Sequence, residues 1–105
     1  MFAKPITHKF KAIRCEEDDI KFPSKKERRR YQELKLLKRS GEVLFFIMQT
    51  PFHLPGKIVY RSDFMVFWEN GNVTIEDVKG FETPEFKMKR KLLEESYPIK
   101  LTIIR

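Results

Sequence analysis

The chain has little cysteine and little histidine: Cys15 is its one thiol, and His8 and His53 are its two imidazoles, in 105 residues. One cysteine excludes an internal disulfide and a cysteine-based zinc knuckle. Two histidines so far apart give a zinc site little support. Cys15 reads as a small buried or half-buried residue, not a nucleophile. Long apolar runs are missing too. The longest, Val43 to Met48, has the length of a strand, so no membrane-spanning helix is expected. No signal-peptide pattern opens the chain, and it has no internal repeat or low-complexity segment.

What the chain does have is positive charge. Its 22 Lys and Arg against 15 Asp and Glu leave a net charge of +7. Such a balance favours a polyanionic partner through counterion release, although an anionic membrane surface would also suit the charge alone. The length predicts one α/β domain over residues 1–105 with a single core.

Residues 1–22 are expected to form an N-terminal arm and hairpin, with the core over residues 23–105. Residues 1–8 read as a loose arm. Lys9 to Cys15 alternates as an edge strand, Glu16 to Asp19 turns, and Ile20 and Phe22 return. The first helix is expected from Ser24. Ser24 and Glu27 form a capping box, Tyr31, Leu34 and Leu37 have helical spacing, and Ser40-Gly41 closes the element. Val43 to Gln49, apolar on both faces, reads as a central strand. Thr50 to Gly56, with two prolines, reads as a loop. Ile58 to Trp68 is a longer strand, and Glu69-Asn70-Gly71-Asn72 a tight hairpin turn into a strand over Val73 to Lys79. Thr83 caps a second helix with Pro84 at its first position, Pro98 stops it, and Ile99 to Ile104 is the last strand.

The residues that carry chemistry sit around the Asn-Gly turn. Asp63 belongs to the strand before it, and Asp77 and Lys79 end the strand after it. Alternation puts 77 and 79 on one face, roughly 7 Å apart. Two carboxylates and an ammonium there make poor core material, but they can hold a divalent cation against a phosphodiester. Glu76 alternates to the opposite face, where a salt bridge or a supporting contact is its simplest role. Glu27 has two readings: a capping acid, or an acid facing the sheet, since it shares the helical face of Tyr31 and Leu34. Lys25, Lys26, Arg28, Arg29 and Arg30 form a basic surface suited to DNA phosphates, with Lys87 and Lys91 a second one. Lys89 falls between Phe86 and Leu93 on an inward face, where it either snorkels to solvent or meets a phosphate. Gln49 ends a strand near the acids, as a satisfied edge amide or a group that orients water. Trp68 reads as core or dimer contact.

These blocks in this order resemble the PD-(D/E)XK nuclease superfamily. They are more narrowly similar to small phage-encoded nucleases related to Holliday-junction resolvases. The resemblance is carried by Ser24-Lys25-Lys26-Glu27, Tyr31, Leu34 and Gly41, then Tyr60-Arg61-Ser62-Asp63-Phe64, then Glu76-Asp77-Val78-Lys79-Gly80 and Thr83. It departs at Ser62, where the pattern has Pro, and at Asp77, where Glu is commoner. It implies a restriction-endonuclease-like core of order α-β-β-β-α-β. It also implies Mg²⁺, with Mn²⁺ as a substitute, held by Asp63, Asp77, Glu27 and the Val78 carbonyl, and Lys79 acting on the attacking water or the pentacovalent phosphate. Branched DNA as substrate, a homodimer to incise it symmetrically, and the cytoplasm of an infected bacterial host follow from the same resemblance.

Overall fold

The computed structural model describes residues 14–105. The expected arm and most of the Lys9–Cys15 strand lie outside the described residues. The elements are β1 (Cys15–Glu17), β2 (Ile20–Phe22), α1 (Lys25–Ser40), β3 (Val43–Leu54), β4 (Ile58–Trp68), β5 (Val73–Val78), α2 (Pro84–Ser96) and β6 (Leu101–Ile104). Together they form a mixed α/β domain: a β1–β2 hairpin, two helices and a four-stranded sheet of order β3-β4-β5-β6. The first three sheet strands are antiparallel, and β6 joins β5 in parallel through α2. Among the described residues no helix is long and apolar enough to cross a membrane.

Local chemistry sets both helices. Ser24 Oγ accepts from Glu27 N at 3.1 Å, and Gly41 closes α1 at φ +89°, a conformation glycine adopts without steric cost. Thr83 Oγ1 accepts from Phe86 N at 3.1 Å and starts α2. The helices cover opposite faces of the sheet. Tyr31 and Leu34 of α1 pack on Phe64, Val66 and Val43, while Phe86 and Leu93 of α2 pack on Ile75, Tyr60 and Leu101. Each such fully buried Leu or Phe stabilises the fold by roughly 2 kcal/mol.

Several expectations need correction. Glu16 and Glu17 belong to β1 or its edge, and only Asp18 and Asp19 turn, both left-handed. At the β4–β5 turn only Gly71 takes positive φ; Asn70 does not. β5 ends at Val78, and β6 begins at Leu101 rather than Ile99. The larger correction is β3. It is an edge strand, and it runs through the supposed loop to Leu54, with Pro51 paired to Arg61 and Leu54 to Ile58. An edge strand tolerates proline because one row of its N–H groups has no partner strand to serve.

A break in the β3–β4 ladder organises the site. Pairing runs to Met48↔Phe64 and resumes at Thr50↔Ser62, skipping Gln49 and Asp63. Gln49 is left-handed there, at φ +55°. The register is the same on both sides of this gap, but residues of one parity join different cores: Phe46 and Phe64 pack on the α1 side, whereas Phe52 and Tyr60 pack on the α2 side. Asp63 lies at that pivot, facing neither helix core as ordinary alternation would require.

Candidate active site at the end of the third sheet strand

Three elements each bring one carboxylate to the end of β5. Glu27 comes from the first turn of α1, Asp63 from the break in β4 and Asp77 from β5. Glu27 is 5% exposed, Asp77 is 3% exposed and Asp63 is half-buried. Asp63 Oδ2 accepts from Val78 N at 2.8 Å, which ties β4 to the last residue of β5. Lys79 Nζ lies 3.3 Å from Asp77 Oδ2 and 4.4 Å from the centre of the Phe86 ring. Even so, Asp77 Oδ2 is buried without a hydrogen bond of acceptable geometry among the described residues.

The electrostatics show the crowding. Burial, then the charges of Asp77 and Glu27, push the Asp63 carboxyl up to about 8, and the bond from Val78 N opposes this. Burial, then the Asp77 charge, push Glu27 up to about 7, with Lys79 pulling it down. Burial beside Asp77 and Asp63 also drives the Tyr60 phenol far up, so it stays protonated. Lys79 is the ammonium beside these three acids, and near neutral pH the raised Asp63 and Glu27 carboxyls offset part of the remaining charge by holding protons.

A divalent cation fits the donors, with one qualification of geometry. No three acidic, His or Cys side chains among the described residues form a ready-made cage. Mg²⁺ does not need one: it takes one or two carboxylates and fills its shell with water and substrate oxygens. Asp77, ion-paired with Lys79, and Asp63, in contact with Asp77 and bonded to Val78 N, supply two such carboxylates. Val78 ends β5, so its peptide lies at the same spot.

Glu27 lies among the acids and not in a complete capping box. Only the Ser24 half of the capping box forms; the Glu27 carboxylate accepts no hydrogen bond among the described residues and faces Asp77 and Lys79 instead. Glu76 is 1% exposed and is held by Arg30, whose Nε and Nη2 donate to it at 2.8 and 2.7 Å. Arg30 is therefore not a free phosphate-binding cation, a correction that the periodicity of the helix could not reveal. Lys25, Lys26 and Arg29 remain exposed, and Arg28 is half-buried without an acidic partner among the described residues. Lys26 Nζ would lie 3.4 Å from a Cβ added at Gly80, so this lysine sits directly over the end of β5. Lys87 and Lys91 are exposed; Lys89 is half-buried and pairs with Glu85 at 3.3 Å. Gln49 is exposed and lies inside β3, not at its end. Trp68 packs on the α1-side core and donates to Thr74 Oγ1 at 2.8 Å. Cys15 is half-buried, as expected.

Arg61 was missed by reading the sequence. It has no acidic partner among the described residues and lines a cleft with Lys79 and Lys89. Its place two residues before Asp63 was visible, but the face it takes depends on the ladder break.

No curated protein and no solved structure matches the chain. A family model matches residues 7–105, and the chain accordingly belongs to the family described as "Protein of unknown function (DUF1064)".

Proposed function

We propose that this protein is a divalent-metal-dependent endodeoxyribonuclease with a restriction-endonuclease-like core, acting on branched DNA in the manner of a Holliday-junction resolvase. One observation carries the reading: residues 27, 63 and 77, distant in sequence, place crowded carboxylates around Lys79, and a buried Asp77 oxygen there lacks a hydrogen bond. A structural ion pair would not gather three acids around one lysine. The resemblance of the sequence blocks to PD-(D/E)XK nucleases and the +7 charge support it.

In this reading Asp77 and Asp63 hold the cation, and Glu27 completes the negative wall from the opposite side. A bound Mg²⁺ or Mn²⁺ supplies Lewis acidity and neutralises phosphate charge. Lys79, anchored by Asp77 and the Phe86 ring, orients the attacking water and stabilises charge on the phosphate. Asp63, fixed by Val78 N, keeps the acids in register while substrate binds. Symmetric incision of a junction requires two such sites, hence a homodimer. The cytoplasm of an infected bacterial host is the corresponding location.

A second reading is a DNA-binding module that does not cleave. The lack of a closed three-ligand cage among the described residues favours it. Incubating labelled four-way, forked, flap and linear DNA with Mg²⁺, Mn²⁺ or EDTA decides between them. Metal-dependent incision of branched DNA is expected; binding of DNA without incision under every condition establishes the second reading.

A further inference from the structure

Beside the acids lies a second feature of opposite sign. A cleft of about 290 Å³ opens between β4 and the start of α2, lined by Val59, Tyr60, Arg61, Lys79, Phe86 and Lys89, with Thr83 and Glu85 at its rim. Three of these residues are cations. The one acid, Glu85, is 73% exposed in its side chain and pairs with Lys89 at 3.3 Å, a surface contact worth little and easily exchanged. Arg61 has no acid to satisfy it among the described residues. Tyr60, 7% exposed, forms the floor with Phe86, and its buried hydroxyl lies against Asp77. Lys79 is common to cleft and acids, so the two adjoin.

We infer that this cleft holds the backbone phosphate next to the one attacked, with Arg61 and Lys89 as its clamp. The inference rests on the nuclease reading and names where the strand runs through the site. Arg61 supplies a planar fork that matches two phosphate oxygens. Lys89 reaches the same anion by releasing Glu85. The cleft is large enough for one phosphodiester with its sugar.

The test uses the full chain, a short single-stranded oligodeoxynucleotide as probe and metal omitted. Neutralising one true phosphate contact makes log K against log salt shallower by about 0.7 for single strands. Arg61→Gln and Lys89→Gln should each do so, and the double variant by about twice that. With metal and a cleavable substrate, KM should rise about tenfold in Arg61→Gln while kcat changes little, the pattern of lost uniform binding. An unchanged slope and unchanged KM in the Arg61→Gln/Lys89→Gln variant overturn the inference. If that happens while Asp77→Asn still abolishes cleavage, the nuclease reading stands and the cleft alone fails. If wild type never cleaves yet the slopes change as stated, the cleft stands as a phosphate site and the nuclease reading fails. No binding of the probe by wild type overturns the inference.

Discussion

Arg30 on α1 grips Glu76 on β5 through two hydrogen bonds, Nε to Oε1 at 2.8 Å and Nη2 to Oε2 at 2.7 Å. Thr74 Oγ1 adds a longer contact to Oε2 at 3.4 Å, and Trp68 in turn donates to Thr74. The pair fixes α1 to the sheet one helical turn from Glu27, and so sets how deep Glu27 reaches towards Asp77. Arg30 therefore serves position, while the proposed function gives DNA binding to its exposed neighbours.

These two roles separate by measurement. Arg30→Gln leaves Glu76 buried and uncompensated, and should cost about 3 kcal/mol of stability by denaturant unfolding. Where the variant is folded, its salt slope for duplex DNA should match wild type. Lys26→Gln/Arg29→Gln should show the reverse: stability within about 0.5 kcal/mol of wild type, and a slope shallower by about two units. A changed slope in Arg30→Gln with intact stability would return Arg30 to the DNA surface.

Glu27 is expected to be dispensable for the helix and needed for the reaction. Ser24 alone caps α1, so Ser24→Ala should cost about 1 kcal/mol with activity retained. Glu27→Gln removes a buried charge that repels Asp77, and should hold or raise the melting temperature while losing most cleavage. Near-normal cleavage by Glu27→Gln would strike Glu27 from the site.

How much of this could be read from the chain follows from where each signal lies. Ser24, Gly41, Thr83 and Pro84 act on their own neighbours, so both helices were legible nearly to the residue. β4 was legible from its β-branched and aromatic content. β3 was not. Its apolar run suggested a central strand and Pro51 a loop, yet both follow from its place at the sheet edge, which only the tertiary structure sets. The change from one core to the other across Gln49 and Asp63 also has no local mark, because glutamine carries no preference for a left-handed φ. Tyr60 and Arg61, which line the cleft, lie beyond that change. Asp63, Asp77 and Lys79 were identifiable as a pattern, whereas the Arg30–Glu76 pair joins residues 46 apart in sequence and was hidden.

The carboxylate crowding predicts an unusual response to pH. Glu27 and Asp63 bind protons more tightly folded than unfolded, since their values rise from 4.5 to about 7 and from 3.8 to about 8. The associated stability is fully present below about pH 4, and it is lost as pH rises through about 7 and 8. In EDTA, unfolding free energy should thus fall by on the order of 1–3 kcal/mol between about pH 6 and about pH 9. Excess Mg²⁺ should flatten the fall by favouring the ionised carboxylates, and Asp77→Asn should reduce it by removing a charge that raises both groups. Melting curves across this range with EDTA and with Mg²⁺ check it; identical curves would show that no cation engages the cluster.

The most direct measurement compares wild type with Asp77→Asn on a labelled four-way junction, each with Mg²⁺ and with EDTA, following strand incision and junction binding together. Asp77 is the most buried of the three acids and the one with an oxygen left without a hydrogen bond. The account predicts incision by wild type in Mg²⁺ alone, at least about a hundredfold less by Asp77→Asn, and junction binding by both proteins. Undiminished incision by Asp77→Asn, or incision by wild type that persists in EDTA, would contradict it.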